Sequence, residues 1–320
     1  VPGSFYQRIK PGIKPGPSLS WPLSRSRASF RPSMEGCQKT FVARGGLKVH
    51  YLEAGEGQAV LLVHGLGTSM VTWYCNIDAL VSGGYRVLAL DLPGHGDSDK
   101  PKDLDYAPAG AAELIHQFLA ELELDRISLV GNSAGGLVVA LFTLAYPQQV
   151  EKLVLVAPGG LGRHITWLLR IVSVPVLGEL FYRPRLQSSM GLARRMFFSP
   201  PPIWAEVWPE MERVRNLPGA RHAAIQSIRS SVDLLGQRRK SYILDRLRDL
   251  KRPLLTIWGE EDSIIPVSHA AAVRRALPRS VTRVIPECGH WPHMEKAEQF
   301  NELLVRFLDG SLSHSSLDKP

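Results

Sequence analysis

The chain has 320 residues, of which 44% are apolar and 21% are charged. This composition allows one substantial buried core and argues against disorder throughout the chain. Its three cysteines, Cys37, Cys75 and Cys288, lack a Cys-x-x-Cys spacing, so neither a zinc site nor a disulfide framework is indicated, and we expect a reducing, cytoplasmic location. No apolar run reaches the roughly 20 residues that a membrane-spanning helix needs.

The net charge of +8 is concentrated in two segments. Residues 1–34 carry six basic side chains and no acidic one, and residues 160–250 carry 15 basic and 7 acidic side chains. Because no nucleic-acid-binding motif accompanies these charges, we expect no nucleic-acid partner. Solvated arginines on helical faces are the favoured explanation for 160–250, and a surface or pocket for anionic groups is the alternative.

The two ends of the chain lack the features of folded structure. Residues 1–33 are rich in Pro, Gly, Ser and Arg and show no apolar periodicity, which predicts a disordered basic leader. It also lacks the apolar stretch of a secretory signal. The leader is either a transit segment or non-native sequence upstream of a start at Met34, and we favour the second. Residues 313–320 are predicted to be a disordered tail.

From about residue 40, predicted strands alternate with predicted helices. Residues 40–43 and 48–53 form two strands joined by a hairpin turn at Gly45 and Gly46. Apolar runs predict the other strands, and helical spacing predicts the helices. The strands are 59–64, 86–91, 127–130, 153–156, 254–258 and 281–285, and the helices include 109–122, 137–146 and 297–308. This alternation predicts an α/β fold with an eight-stranded, mostly parallel sheet and helices on both faces.

The alternation is interrupted between residues 160 and 250. This segment is helical, rich in Arg, Trp and Pro, and contains no convincing strand. We predict that it is an inserted helical cap over the carboxyl ends of the strands, where open α/β sheets bind their ligands. The remaining segments, 34–159 and 251–312, are predicted to form the core domain.

The pentapeptide Gly131-Asn132-Ser133-Ala134-Gly135 follows the strand at 127–130 and precedes a helix. This is the G-x-S-x-G pattern in the strand–turn–helix context in which a sharp turn exposes a serine hydroxyl. Flanking glycines are needed because larger side chains would clash in such a turn. The pattern predicts Ser133 as a nucleophile.

A serine nucleophile needs a base and an acid that orients the base. His290 follows the last predicted strand, which places it at the same edge of the sheet as Ser133. Asp262 follows the strand at 254–258, and we prefer it to Glu260 and Glu261 because Gly259 and Pro266 fix its loop. The chain order serine, aspartate, histidine is the one that this type of site uses.

An oxyanion needs two backbone donors. We assign one to the N–H of Ala134, directly after the nucleophile, and the other to the N–H of Leu66, in the loop after the strand at 59–64. Gly65 in the same loop is predicted to line the substrate pocket, and His64 is predicted to brace the loop. Residues 91–98, DLPGHGDS, are interpreted as a structural turn that supports this loop.

Five motifs in this order resemble those of the α/β-hydrolase superfamily: HGLG at 64–67, DLPGHGDS at 91–98, GNSAG at 131–135, WGEED at 258–262 and CGHW at 288–291. Asn132, residues 158–160 (PGG) and Trp291 are similar to the meta-cleavage-product hydrolases, which cleave carbon–carbon bonds. That resemblance implies that Asn132 and Trp291 line the site. It also implies an arginine from the cap that binds a substrate carboxylate. The short HGLG loop and Ala134, where that group has Met, depart from its pattern.

These features together predict a serine hydrolase that cleaves carboxylic esters through an acyl-enzyme on Ser133. A carbon–carbon bond hydrolase of vinylogous diketone acids and a non-enzymatic binding protein are the alternatives. We expect a small-molecule ester or related acyl substrate and no cofactor or metal ion. Contact of residues 161–182 with a membrane surface is a further alternative, and packing around an acyl pocket is favoured over it. The oligomeric state is not readable from the sequence.

Overall fold

A computed structural model describes residues 37–183 and 188–312. The predictions of disorder at 1–33 and 313–320 therefore lie outside the described residues. Within the described part of the chain, every helix is too short or too polar to cross a lipid bilayer.

Eight strands form one sheet, and two very short strands form a separate hairpin. In chain order the strands are β1 (Gln38–Val42), β2 (Lys48–Ala54), β3 (Gln58–Val63), β4 (Tyr85–Leu90), β5 (Ile127–Asn132), β6 (Val150–Val156), β7 (Val232–Asp233), β8 (Gly236–Gln237), β9 (Leu254–Gly259) and β10 (Val281–Ile285). The order across the large sheet is β1-β2-β4-β3-β5-β6-β9-β10. The pairs β1–β2 and β2–β4 are antiparallel and the other pairs are parallel, which confirms the predicted mostly parallel sheet.

The helices alternate with these strands outside the 160–250 segment. They are α1 (Tyr74–Ser82), α2 (Pro108–Glu121), α3 (Ala134–Ala145), α4 (Trp167–Val172), α5 (Leu177–Phe181), α6 (Ser189–Met196), α7 (Trp204–Arg215), α8 (Ala220–Ser231), α9 (Ser268–Ala276), α10 (Pro292–Glu295) and α11 (Ala297–Leu308). Helix α3 begins directly after Ser133, three residues before the predicted start at 137. Residues 134–136, Ala-Gly-Gly, carry no large apolar side chain from which helical spacing could be read.

Both faces of the central strands are buried, because side chains alternate between the two faces of a strand. In β3, Leu61 and Val63 belong to the apolar cluster that also contains buried residues of α2, α3 and α9. Val60 and Leu62 point to the opposite face and are also fully buried. This explains why the central strands read as continuous apolar runs rather than as alternating patterns.

The 160–250 segment leaves the sheet after β6 and returns at β9, and these two strands are neighbours. It contains α4 to α8, and the N–H of Ile243 donates to the carbonyl of Gly160 at 2.9 Å, which ties its end to its beginning. The β7–β8 hairpin in this segment was not predicted. Strands of two residues are too short to show a period of two. The proposed division into core and cap stays a prediction.

Candidate active site

Ser133 lies in a strained turn between β5 and α3. Its backbone has φ 55° and ψ −116°, which is a left-handed conformation that is uncommon for residues other than glycine. A Cβ on Gly131 would lie 2.5 Å from the carbonyl oxygen of Gly135, and a Cβ on Gly135 would lie 2.4 Å from the carbonyl oxygen of His64. Both glycines of the G-x-S-x-G pattern are therefore required by the close approach of the backbone.

Hydrogen bonds to the neighbouring strand β6 hold this turn. The N–H of Ser133 donates to the carbonyl of Val156, and the carbonyl of Ser133 accepts from the N–H of Gly159, both at 2.9 Å. Ala157 and Glu287, which follow β6 and β10, also have positive φ values of 42° and 50°. Such strain persists only where surrounding contacts impose it, and it collects at functional sites.

His290 and Asp262 form a buried pair. The distance from His290 Nδ1 to Asp262 Oδ2 is 2.7 Å, and the two residues are 3% and 7% exposed. The other oxygen of Asp262 accepts hydrogen bonds from the N–H groups of Ile264 and Ile265, at 2.8 and 3.0 Å. A carboxylate held in this way favours a proton on Nδ1, which leaves Nε2 of His290 as the basic nitrogen.

The alternative acids are placed differently. Glu260 is exposed, and Glu261 Oε2 accepts from the N–H of Cys288 at 2.8 Å, which fixes the loop that carries His290. The N–H of His290 itself donates to the carbonyl of Met196, at the end of α6. The structure therefore pairs Asp262, rather than either glutamate, with the imidazole.

The loop after β3 lies against the Ser133 turn. A Cβ on Gly65 would lie 3.0 Å from Asn132 Oδ1 and 3.2 Å from Ser133 Cβ, so a side chain at this position would press on the turn. His64 Nδ1 donates to the carbonyl of Gly65 at 2.7 Å, and Nε2 accepts from the N–H of Leu92 at 3.0 Å. Burial lowers the pKa of His64 and keeps it neutral, as these two bonds require.

The two N–H groups assigned to the oxyanion belong to a loop residue, Leu66, and to the first residue of α3, Ala134. Within the described residues, the N–H of Leu66 donates to no protein acceptor. Ala134 is the first residue of α3, and the N–H groups of a first helical turn have no partner inside the helix. Leu66, Ala134 and Ser133 all line one cavity. The assignment of the two N–H groups to the oxyanion stays a prediction.

Asp91 connects the loop after β3 with the loop after β4. Its Oδ1 accepts from the N–H of Met70 at 2.7 Å, and its Oδ2 accepts from the N–H of Asp97 at 2.9 Å and contacts His50 Nδ1 at 3.2 Å. Burial alone would raise the pKa of Asp91, but these hydrogen bonds lower it below its usual value. Asp91 therefore holds the two loops together through hydrogen bonds, in agreement with the interpretation of residues 91–98 as a supporting turn.

His50, Asp91 and Asp97 also form a group of potential metal ligands, with their ligand atoms within 4.8 Å of one another. The oxygens of Asp91 are already used by backbone N–H groups, and Asp97 forms an ion pair with Arg213. These partners account for the charges of the group without a cation.

The cavity at Ser133 has a volume of about 160 Å³ and is lined mainly by apolar side chains. Of the predicted site residues, its lining contains Ser133, Ala134, Leu66 and Gly65. The 160–250 segment contributes residues that the sequence did not indicate: Ile165, Leu169, Ser227, Ile228, Ser231, Val232 and Gln237. Among the described residues, no lysine or arginine belongs to this lining.

Asn132 and Trp291 differ from their predicted place in the pocket lining. Asn132 is 1% exposed, and its amide donates to the carbonyls of Val156 and His290, at 3.1 and 3.4 Å. It therefore ties the Ser133 turn to the His290 loop. Trp291 is 3% exposed and packs against Phe197 and Trp204, with ring centroids 5.5 and 6.0 Å apart. The indole of Trp291 therefore packs in an aromatic cluster and does not line the cavity.

Comparison with known proteins gives one family. The family model described as alpha/beta hydrolase fold matches residues 58–297. The 2-hydroxy-6-oxononadienedioate/2-hydroxy-6-oxononatrienedioate hydrolase of Comamonas testosteroni is 29% identical over 82% of this chain and 91% of its own. A meta-cleavage product hydrolase from Pseudomonas fluorescens IP01 has a TM-score of 0.71 at 26% identity, covering 86% of this chain and 98% of its own. A membrane phospholipase A described as a bacterial virulence factor has a TM-score of 0.70 at 29% identity, covering 86% of each chain. The chain therefore belongs to the alpha/beta hydrolase family.

Proposed function

We propose that this hydrolase cleaves carboxylic esters with an apolar acid part, with Ser133 as nucleophile, His290 as base and Asp262 as the residue that orients His290. The observation that supports this function best is the cavity. Ser133 opens into a mostly apolar space whose lining, within the described residues, has no cationic side chain. Such a space favours an uncharged acyl chain and gives a free carboxylate no cationic partner.

In the proposed reaction, Nε2 of His290 removes the proton from the Ser133 hydroxyl while the oxygen attacks the ester carbonyl. The N–H groups of Leu66 and Ala134 bind the oxyanion. His290 then gives the proton to the leaving alcohol, and an acyl-enzyme forms. Water, activated by the same imidazole, releases the acid and restores Ser133.

Hydrolysis of a carbon–carbon bond in a vinylogous diketone acid is the second candidate. Relatives named as dienedioate and dienoate hydrolases, which are 29% and 30% identical to this chain, favour it. The resemblance noted in the sequence implies an arginine for the substrate carboxylate. The cavity at Ser133 has none among its described lining residues, and for this reason we rank ester hydrolysis first.

A substrate panel and one variant test the proposal. We expect the wild-type protein to hydrolyse p-nitrophenyl butyrate and longer acyl esters faster than a coloured ring-fission dienoate. Ser133→Ala should abolish this activity and leave the melting temperature nearly unchanged, because it removes only the hydroxyl. A fluorophosphonate probe should label wild type at Ser133, as located by mass spectrometry.

Ser199 provides a control, because it is an exposed serine outside the lining of this cavity. Ser199→Ala should keep both the labelling and the turnover. Turnover of the dienoate alone would exclude the ester function and favour the second candidate. Labelling at another residue, or full activity in Ser133→Ala, would exclude Ser133 as nucleophile.

A further inference from the structure

The surface around α4 combines exposed apolar side chains with arginines. Trp167, the first residue of α4, is 64% exposed, and Leu234 and Leu235 are 55% and 66% exposed. Two arginines contact the leucines: Nε of Arg163 donates to the carbonyl of Leu235 at 2.9 Å, and Nε of Arg170 donates to the carbonyl of Leu234 at 2.7 Å. We refer to these five residues as the α4 surface.

The two leucines occupy a position where apolar residues are unusual. Asp233 pairs with Gly236 in the β7–β8 hairpin, so Leu234 and Leu235 are the two residues of its turn. Turn positions are mostly occupied by Gly, Pro, Asn, Asp and Ser, whereas both residues of this turn are leucines with largely exposed side chains. Exposed apolar clusters instead mark surfaces that contact a partner.

Helix α4 separates into two faces. Leu168, Leu169 and Val172 pack into the apolar cluster that contains Ile225 and Ile228 of α8. Trp167 and Arg170 are three residues apart and thus lie on one side of the helix, where Trp167 is exposed and Arg170 is half-buried. Trp167 is therefore not needed for this packing. Tryptophan beside arginine is typical of segments at a membrane–water interface.

The arginines of the α4 surface are placed to bind an anion. In the part of the chain that the structure describes, neither guanidinium forms an ion pair with a carboxylate, and beyond the Nε bonds the terminal N–H groups have no protein acceptor. Arg163, His164, Arg170 and Leu235 are among the residues that line a second cavity, of about 470 Å³. The surrounding segment has 15 basic and 7 acidic side chains. A phosphodiester is complementary to such a pair of guanidinium groups.

We propose that the α4 surface docks the protein on membranes that contain anionic phospholipids. Arg163 and Arg170 bind lipid phosphates, and Trp167, Leu234 and Leu235 insert between the headgroups. Ile165 lines both the arginine cavity and the cavity at Ser133, so the docked face lies next to the proposed catalytic site. Delivery of lipid esters to Ser133 rests on the proposed function, whereas docking itself does not.

Co-sedimentation of the full chain with vesicles tests docking. The protein should bind vesicles of phosphatidylcholine mixed with phosphatidylglycerol, bind pure phosphatidylcholine more weakly, and be released by high salt. Removing charge with Arg163→Gln and Arg170→Gln should lower the partition coefficient by about fivefold for each arginine. Arg163→Lys with Arg170→Lys should retain the binding. Trp167→Ala with Leu235→Ser should weaken the binding at every salt concentration.

Two exposed residues outside the α4 surface serve as matched controls. Val42 is 57% exposed on β1, and Arg275 is exposed on α9. Val42→Ser and Arg275→Gln should bind the mixed vesicles as wild type does. Ser133→Ala should also bind normally, and the α4 variants should keep their turnover of a water-soluble ester. Loss of catalysis and loss of docking are therefore measured separately.

Four results would overturn the proposal. The wild-type protein could fail to bind the mixed vesicles at low salt. The α4 variants could bind the mixed vesicles as well as wild type does. Alternatively, Val42→Ser and Arg275→Gln could lose as much binding as the α4 variants lose. Finally, the α4 variants could alter the sedimentation coefficient without lipid, which would make the surface a contact between two copies of this chain.

Discussion

The two carboxylate oxygens of Asp262 have different partners: one contacts the His290 imidazole, and the other contacts the backbone of the loop that carries Asp262. One oxygen faces Nδ1 of His290 at 2.7 Å, and the other accepts from two N–H groups, of Ile264 and Ile265. The second set of bonds fixes the carboxylate even when the first is removed. A substitution that changes one atom can therefore separate orientation of the imidazole from stability of the loop.

Asp262→Asn should lower kcat for ester hydrolysis by about 10⁴-fold, as loss of the orienting aspartate does in serine proteases. The side-chain carbonyl can still accept from Ile264 and Ile265, so the melting temperature should change little. The new NH₂ group cannot accept the Nδ1 proton of His290, and the imidazole takes the wrong tautomer. Steady-state kinetics and thermal unfolding measure both effects.

The neighbouring Glu260 is the matched control for this substitution, because it is exposed and was a competing candidate for the acid. Glu260→Gln should leave kcat unchanged. An equal loss of activity in both variants would contradict the assignment of Asp262, and so would a fully active Asp262→Asn protein.

At the scale of elements, two loops at the edge of the sheet support each other. The loop after β3 supplies His64 and Leu66, and the loop after β4 supplies Asp91 and Leu92. The bonds from Leu92 to His64 and from Met70 to Asp91 connect them. The position of the Leu66 N–H thus depends on a carboxylate that does not line the cavity.

Asp91→Ala should lower the free energy of unfolding by roughly 3 kcal/mol or more, because it leaves buried donors without an acceptor. Activity should fall as well, since the loop that carries Leu66 loses a support. The pKa of Asp91 is lowered in the fold. Its stabilising contribution is therefore present above the unfolded pKa of about 3.9 and is lost as the pH falls through the folded value.

Urea denaturation at neutral pH measures the Asp91→Ala effect, with Asp103→Ala as control because Asp103 is an exposed residue of the loop before α2. Asp103→Ala should change the stability very little. A stability of Asp91→Ala equal to that of wild type would show that the connection between the two loops does not depend on this carboxylate.

Elements that follow a strong local pattern were predicted well, and those that depend on packing were not. The hairpin at Gly45 and Gly46 and the eight strands of the sheet have clear turn and apolar signals, and the structure contains them. The β7–β8 hairpin and the short helices α4 and α5 lie in the 160–250 segment, where Arg and Trp interrupt the apolar spacing that is typical of strands and helices. Contacts with the rest of the molecule decide their bounds.

At the scale of the whole molecule, several imidazoles are buried in the neutral form. Burial lowers the pKa of His95 and of His293 to about 3 each, and it also lowers the pKa of His64. The His293 ring lies 4.3 Å from the ring of Trp73 and 6.0 Å from that of Phe300, between centroids. Among the described residues, neither ring nitrogen of His293 has a hydrogen-bond partner.

These histidines predict that the protein loses stability in mild acid. Their folded pKa values lie below the unfolded value near 6.5, so the unfolded chain binds more protons. The contribution of these histidines to the free energy of unfolding is fully present above the unfolded pKa near 6.5. It is lost as the pH falls towards the folded pKa values. Each such histidine lowers the free energy of unfolding by at most about 1.4 kcal/mol per pH unit in this range.

His293→Phe tests this prediction, because phenylalanine suits the aromatic surroundings and does not titrate. Urea denaturation at pH 8 and at pH 5.5 should show a smaller loss of stability on acidification in the variant than in wild type. At pH 8 the variant should be at least as stable, since two unpartnered buried nitrogens are removed. An unchanged pH dependence would mean that His293 does not remain neutral in the fold.

The sequence by itself determined the fold family, the turn around Ser133 and the chain order of Ser133, Asp262 and His290. These features depend on short segments: glycines where the backbone has no room for a Cβ, and polar residues at the carboxyl ends of apolar strands. The tertiary structure decided which side chains of the 160–250 segment face the cavity, where the Trp291 indole packs, and that Trp167, Leu234 and Leu235 remain exposed. The direction of a side chain on a short helix or turn depends on neighbours far away in sequence, and no local pattern records them.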